Sequence, residues 1–168
     1  RRAGAVVIGE DLGTVPEEIP PLLARWGVLS TKVLYFERTA NGGFRAPGSY
    51  PRHAFVSVNT HDLATLAGYE RGLDIDLNQR AGVLDDAQVQ AMRGARGREN
   101  AALRRWAKAG PGEPLAPAVH VRLAATPAQL VGIALDDLGG EVEPVNLPGV
   151  PGDVYPSWRR RMGRSLAQ

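Results

Sequence analysis

Short apolar runs, separated by longer amphipathic or polar stretches, set the rhythm of this chain. Ala5-Val6-Val7-Ile8-Gly9 is continuous and rich in β-branched residues, as expected for a strand buried on both faces. Thr14-Val15-Pro16-Glu17 then has the form of a capping box. Ile19, Leu22, Leu23 and Trp26 recur at helical spacing, and Gly27 ends the run. Residues 5–27 thus predict a strand, a polar loop and a helix. Residues 31–37 predict a second strand, followed by a Gly/Pro-rich loop over 41–52. Residues 54–59 predict a third, whose polar end Thr60-His61-Asp62 opens into a helical stretch over 63–70. Residues 129–135 predict a fourth, ending in Asp136-Asp137. Between the third and fourth strands lie a polar, helix-prone segment over 87–109 and a helix-like stretch over 117–125. The tail over 143–158 is Pro/Gly-rich and predicted to be irregular.

Apolar strands alternating with helices indicate right-handed βαβ units and a parallel sheet, hence an α/β fold. Such sheets carry their functional residues at the carboxyl ends of the strands, in open sheets and in (β/α)₈ barrels alike. Four strands make half a barrel by count. The 168 residues suit one domain or part of a larger one. Hydrophobic residues at 43% and charged residues at 23% exclude a disordered tail. The 20 glycines and 13 prolines make the chain loop-rich. It has no cysteine, which excludes disulfides, thiolate zinc sites and a cysteine nucleophile. The formal charge of +2 is a weak field, too small to imply nucleic acid. No apolar run approaches the length that spans a bilayer. Arg1-Arg2 leads into only Ala3 to Gly9 before Glu10, too short for the apolar region of a signal peptide. A chain that opens on a strand without Met is expected to be cut from a longer protein, and a cytoplasmic location follows as the default.

Acidic residues end three of the four predicted strands: Glu10-Asp11, His61-Asp62 and Asp136-Asp137. In a parallel barrel these positions converge on one rim. Such a set suits glycosidic bond cleavage, where one carboxylic acid protonates the leaving oxygen and others stabilise or capture an oxocarbenium-like sugar. It equally suits a Mg²⁺ site, because hard cations take carboxylate oxygens. Taken singly, Asp62 also fits a helix N-cap, Glu10 a solvated loop charge and His61 a structural histidine. A different class of reading comes from Arg93, Arg96, Arg98, Arg104, Arg105 and Lys108, which share one helix-prone stretch with Trp106. Charge of this kind contacts phosphates, and an aromatic stacks on bases. The competing reading is a solvated helix face with Trp106 as its packing anchor.

Val7-Ile8-Gly9-Glu10-Asp11-Leu12-Gly13-Thr14-Val15 resembles the acid/base motif of the 4-α-glucanotransferases, also called amylomaltases or disproportionating enzymes, of glycoside hydrolase family seventy-seven. Ser57-Val58-Asn59-Thr60-His61-Asp62-Leu63 resembles the second catalytic motif of that family. Asn146-Leu147-Pro148-Gly149 and Tyr155-Pro156-Ser157-Trp158-Arg159 are similar to tail segments of its actinobacterial-type members. The three motifs occur in order across nearly the whole chain. The resemblance implies that residues 1–168 are the C-terminal part of one catalytic domain, strands five to eight of a (β/α)₈ barrel. It implies a retaining double displacement on α-1,4-glucan, in which another sugar's 4-hydroxyl intercepts the glucanyl-enzyme ester. Glu10 would be the general acid/base and Asp62 the carboxylate that distorts the ring. His61 and Asp11 would contact the substrate, and Asp136 and Asp137 would be rim residues supporting the site. The family's aspartate nucleophile ends the fourth strand, which would precede residue 1. The implied partners are maltooligosaccharides, α-1,4-glucans and the upstream remainder of the barrel, with no nucleic acid, membrane, metal or organic cofactor. Asn59 and Ser157 depart from the family pattern, which commonly has Gly and Asn there. The nearest rival is a glucan hydrolase of the α-amylase clan, which shares the His-Asp at the seventh strand.

Overall fold

The structure, a computed structural model, describes residues 3–163; Arg1-Arg2, where the signal-peptide reading began, and residues 164–168 lie outside them. Four strands, β1 (Ile8–Gly9), β2 (Leu29–Val33), β3 (Ala54–Ser57) and β4 (Leu130–Val131), form one sheet in the order β1-β2-β3-β4. Every pairing is parallel, with Ile8 opposite Leu29, Thr31 opposite Phe55, and Phe55 opposite Leu130. The α/β class and the parallel sheet expected from the alternation are both present.

The strands are shorter than the apolar runs that announce them. Val33 to Ser57 is the last β2–β3 pair, and Leu34–Phe36 then turns into a 3₁₀ helix instead of continuing to Glu37. The turn carries Leu34 into the core and stacks Tyr35 on Tyr69, with ring centroids 4.5 Å apart. The first run was expected to be buried on both faces. Instead Val6, Val7 and Ile8 are 65%, 56% and 43% exposed, because the described residues cover β1 on its β2 side alone.

The described residues hold six α-helices, four of them at the expected stretches and two, over 73–80 and 135–139, not expected. The first, α1 (Ile19–Trp26), does not use the Thr14 capping box: Glu18 precedes it and makes no side-chain cap. Pro20 and Pro21 explain the late start, since proline is tolerated only in the first turn, where its missing N–H has no helical partner. The stretch after Asp62 splits at Gly72, in the left-handed region, into α2 (Leu66–Arg71) and α3 (Leu73–Arg80). Thr65, not Asp62, caps α2, accepting from the Gly68 amide. A complete capping box opens α4 (Asp86–Ala107), where Asp85 and Gln88 exchange side-chain and backbone bonds. The remaining helices are α5 (Leu115–Ala124) and α6 (Leu135–Gly139).

The core lies between β2–β3 and the helices that follow β3. Val33, Val56 and Val58 pack there with Leu103 of α4 and Val119 and Leu123 of α5, all essentially buried. Burying a Val or Leu side chain contributes about 1.5–3 kcal/mol, so this face alone holds the middle of the sheet. Gly132, just past β4, is demanded by packing: a Cβ there would stand 2.4 Å from the Phe55 ring. No helix among the described residues is long and apolar enough to cross a membrane.

Candidate active site

Three loops at the carboxyl ends of the strands build the site. The β1 loop presents Glu10 in solvent and turns Asp11 inward. The Asp11 carboxylate, with a side chain 3% exposed, accepts from Ser30 Oγ at 2.5 Å and from the Thr31 amide at 2.7 Å, with Lys32 Nζ 3.8 Å away. Thr31 Oγ1 donates to the Gly9 carbonyl at 2.8 Å. These bonds pin the loop to β2 and leave Glu10 as the acid that faces the open side.

The β3 loop carries Thr60, His61 and Asp62. Its turn is closed locally, the Leu63 amide donating to the Thr60 carbonyl and the Asp62 amide to Thr60 Oγ1. The side chains of His61 and Asp62 are 51% and 47% exposed, with His61 Nε2 3.4 Å from Asp62 Oδ1. That same oxygen accepts from Asn146 Nδ2 at 2.6 Å. Glu10, Thr31, Thr60 and Leu63 line two adjoining cavities of about 700 and 630 Å³. The first also holds His61 and Asp136, the second Asp62 and Asp11. Glu10 thus lines both cavities, with His61 on one and Asp62 on the other.

A family model described as 4-alpha-glucanotransferase matches residues 1–166. The chain belongs to that family. Its relatives include the 4-alpha-glucanotransferase of Mycobacterium tuberculosis (strain H37Rv), 36% identical over 94% of this chain and 23% of that protein. The 4-alpha-glucanotransferase of Haemophilus influenzae is 30% identical over 99% of this chain and 26% of that protein. Among solved structures, the amylomaltase of Corynebacterium glutamicum superposes with a TM-score of 0.84 at 35% identity, over 94% of this chain and 25% of that one. An amylomaltase from Streptococcus agalactiae, in complex with acarbose, shares the fold at a TM-score of 0.66 and 24% identity, over 92% of this chain and 27% of that one. The chain thus spans about a quarter of the length of these members of the family.

The two rim aspartates part company. Asp136 lines the larger cavity and is held by Arg160 at 2.6 Å, which also reaches Glu141 at 3.4 Å. Asp137 points the other way, into the molecule, and is buried. Among the described residues, no three of His, Asp and Glu gather closely enough to hold a metal ion.

The tail matters more than its irregular composition suggests. It brings Asn146 to Asp62 and lays Trp158 against His61, ring centroids 5.2 Å apart. Trp158 sits at φ 64°, a strained conformation for a bulky residue, held by its amide bond to the Val145 carbonyl and by Ser157 Oγ accepting from the Leu147 amide. Both residues stand in motifs visible in the sequence, but nothing local shows that a residue 84 positions away meets Asp62.

Half of the basic stretch is paired within the fold. Arg96 makes a two-pronged ion pair to Asp74, at 2.7 Å on each arm, donates to the Tyr69 carbonyl and lies 3.8 Å over the Tyr69 ring. Arg104 pairs with Glu70 at 2.7 Å and Arg93 with Asp76 at 2.5 Å. Trp106 is buried and donates Nε1–H to the Arg45 carbonyl, as a packing anchor does. Arg98, Arg105 and Lys108 of the same stretch stay exposed, and no ion pair joins them to a carboxylate among the described residues.

Proposed function

We propose that this chain is strands five to eight of a (β/α)₈ barrel in a 4-α-glucanotransferase, and that residues 1–168 belong to its single catalytic domain. The observation that carries the reading is that Glu10 and Asp62, 52 residues apart, open onto the same cavity from the carboxyl ends of parallel strands. The exposed apolar residues of β1 and α1 supply the complementary edge: Trp26 is 75% and Ile8 43% exposed, a surface suited to a preceding strand and helix.

In this reading Glu10 protonates the glycosidic oxygen as it leaves and later takes the proton from the incoming 4-hydroxyl. Asp62 hydrogen-bonds sugar hydroxyls and favours the distorted ring of the transition state, its own carboxylate oriented by Asn146. His61, steadied against Trp158, binds a hydroxyl of the same ring. Asp11, assigned as a sugar contact by the resemblance, is here tied to Ser30 and Thr31, a position from which it acts on the presentation of Glu10. A retaining mechanism needs its nucleophile only ~5–5.5 Å from the acid, so the aspartate comes from the upstream part of the enzyme. The substrates are α-1,4-glucans and maltooligosaccharides, and the acceptor is a glucose or glucan 4-hydroxyl. The chemistry calls for no metal or organic cofactor, because carboxylates carry the proton and hold the ester.

The test is made in the full-length enzyme with maltotriose. Glu10→Gln and Asp62→Asn are each expected to remove most turnover and leave the fold intact; near-normal turnover in either rejects the assignment. Product analysis separates the hydrolase alternative: chains longer than maltotriose at a constant number of reducing ends support a transferase, and a rising number of reducing ends supports a hydrolase.

A further inference from the structure

The loop that carries His61 and Asp62 has a narrow neck. Asn59 stands before it and Ala64 to Leu66 after it. The Asn59 Nδ2 donates across the neck to the Ala64 carbonyl at 3.2 Å and also reaches the Asp137 carboxylate, 3.2 Å from Oδ2 and 3.4 Å from Oδ1. Asp137 Oδ1 accepts in turn from the Leu66 amide at 2.7 Å. One carboxylate thus holds both flanks of the four residues 60–63. Its side chain is 0% exposed, and the nearest basic group is His120 Nε2 on α5, at 3.5 Å. Burying a carboxylate is costly unless polar partners meet it, and a leucine of similar size would pack here without that cost. What an apolar side chain lacks is the ability to grip two donors seven residues apart. The influence of the buried charge also shows on Tyr35, whose phenol is pushed well up, first by burial and next by Asp137.

We propose that Asn59 and Asp137 are positioning residues that close the neck of the 60–63 loop and set the direction of the Asp62 carboxylate. The proposal rests on Asp62 being catalytic. It extends the site to a residue on α6 that never touches substrate, and it gives a task to Asn59. A displacement of about 1 Å at a catalytic group costs up to ~10²-fold in rate, so loosening the neck acts on turnover more than on binding.

The experiment uses the full-length enzyme and maltotriose disproportionation, with kcat, KM and the melting temperature measured for Asn59→Ala, Asp137→Asn, their double variant and Asp62→Asn. Asn59→Ala is expected to lower kcat by about tenfold and Asp137→Asn by more, with KM within about twofold of the parent. The double variant is expected to be no slower than Asp137→Asn alone, because both changes open the same neck. Losses that multiply in the double variant, a change confined to KM, or a lowered melting temperature with unchanged kcat would each overturn the proposal. If Asp137→Asn does not fold, Asn59→Ala decides by the same kcat criterion. An active Asp62→Asn variant rejects the underlying site assignment instead, which keeps the two failures apart.

Discussion

Two polar clusters, each with acidic residues, lie around cavities that share Phe36 and Leu63 and behave differently. At the mouth, His61 and Asp62 stand about half exposed and Glu10 faces solvent, their contacts few and leaving oxygens free. Among α2, α3 and α4, Arg96 is clamped between Asp74, Glu99 and the Tyr69 ring, with its side chain 9% exposed. The first cluster has room for a ligand to become the missing partner. The second has already found its partners within α2, α3 and α4, and its work is to hold those helices together. Charge in the sequence is therefore no guide to chemistry until the fold decides which groups remain unspent.

The sharpest way to break this contrast is at Glu10. Removing a general acid/base lowers kcat by about 10²–10⁴-fold, and Glu10→Gln in the full-length enzyme is expected to show that loss with an unchanged melting temperature. Arg96→Ala should show the reverse. It strands the Asp74 carboxylate, and denaturant titration is expected to show a loss of about 3 kcal/mol, with normal kcat for the molecules that stay folded. A catalytic loss at Arg96, at a temperature where the variant is fully folded, would erase the distinction. Gly132→Ala tests the boundary between the two regions. Its Cβ would press on Phe55, a wall of the larger cavity, and overpacking of this kind costs about 1–3 kcal/mol. A variant as stable as the parent would show that the Phe55 ring yields freely.

The smallest effect is at Tyr69, whose phenol is pushed up to about 12, first by burial and next by its bond to Glu99. An unfolded tyrosine ionises near ~10, so its contribution to stability is complete below that pH. It is lost as the pH rises from about 10 through about 12, where the unfolded chain releases the proton first. Melting temperatures across this range are expected to fall less steeply in Tyr69→Phe than in the parent. Equal slopes would remove Tyr69 from the account.

Much of the fold was legible because the signals are local. Runs such as 54–59 are continuous and β-branched, and β3 lies within the predicted span. The helix expected over 87–109 is α4 to within two residues at either end. Errors fell where one local signal masked another. Thr14-Val15-Pro16-Glu17 has the right spacing for a cap, but the prolines at 20 and 21 moved the start of α1 beyond it. Residues 33–36 are an unbroken apolar run, but the last pair with β3 is Val33, after which the core draws Leu34 inward.

By itself the sequence placed acids after three predicted strands, and the motifs around two of them pointed to glucan chemistry; in the fold Asp136 and Asp137 belong to α6 and not to the end of β4. It did not decide which acids would remain free. Asp136 and Asp137 are neighbours in the chain, but successive helical positions point about 100° apart, so one meets Arg160 at the rim and the other is buried beneath the loop. Glu10 and Asp11 divide in the same way between solvent and Ser30. Strand and helix formation depends on neighbours along the chain, whereas the fate of a carboxylate depends on donors many residues away. Asn146 for Asp62 and Arg160 for Asp136 are partners that only tertiary packing brings within reach.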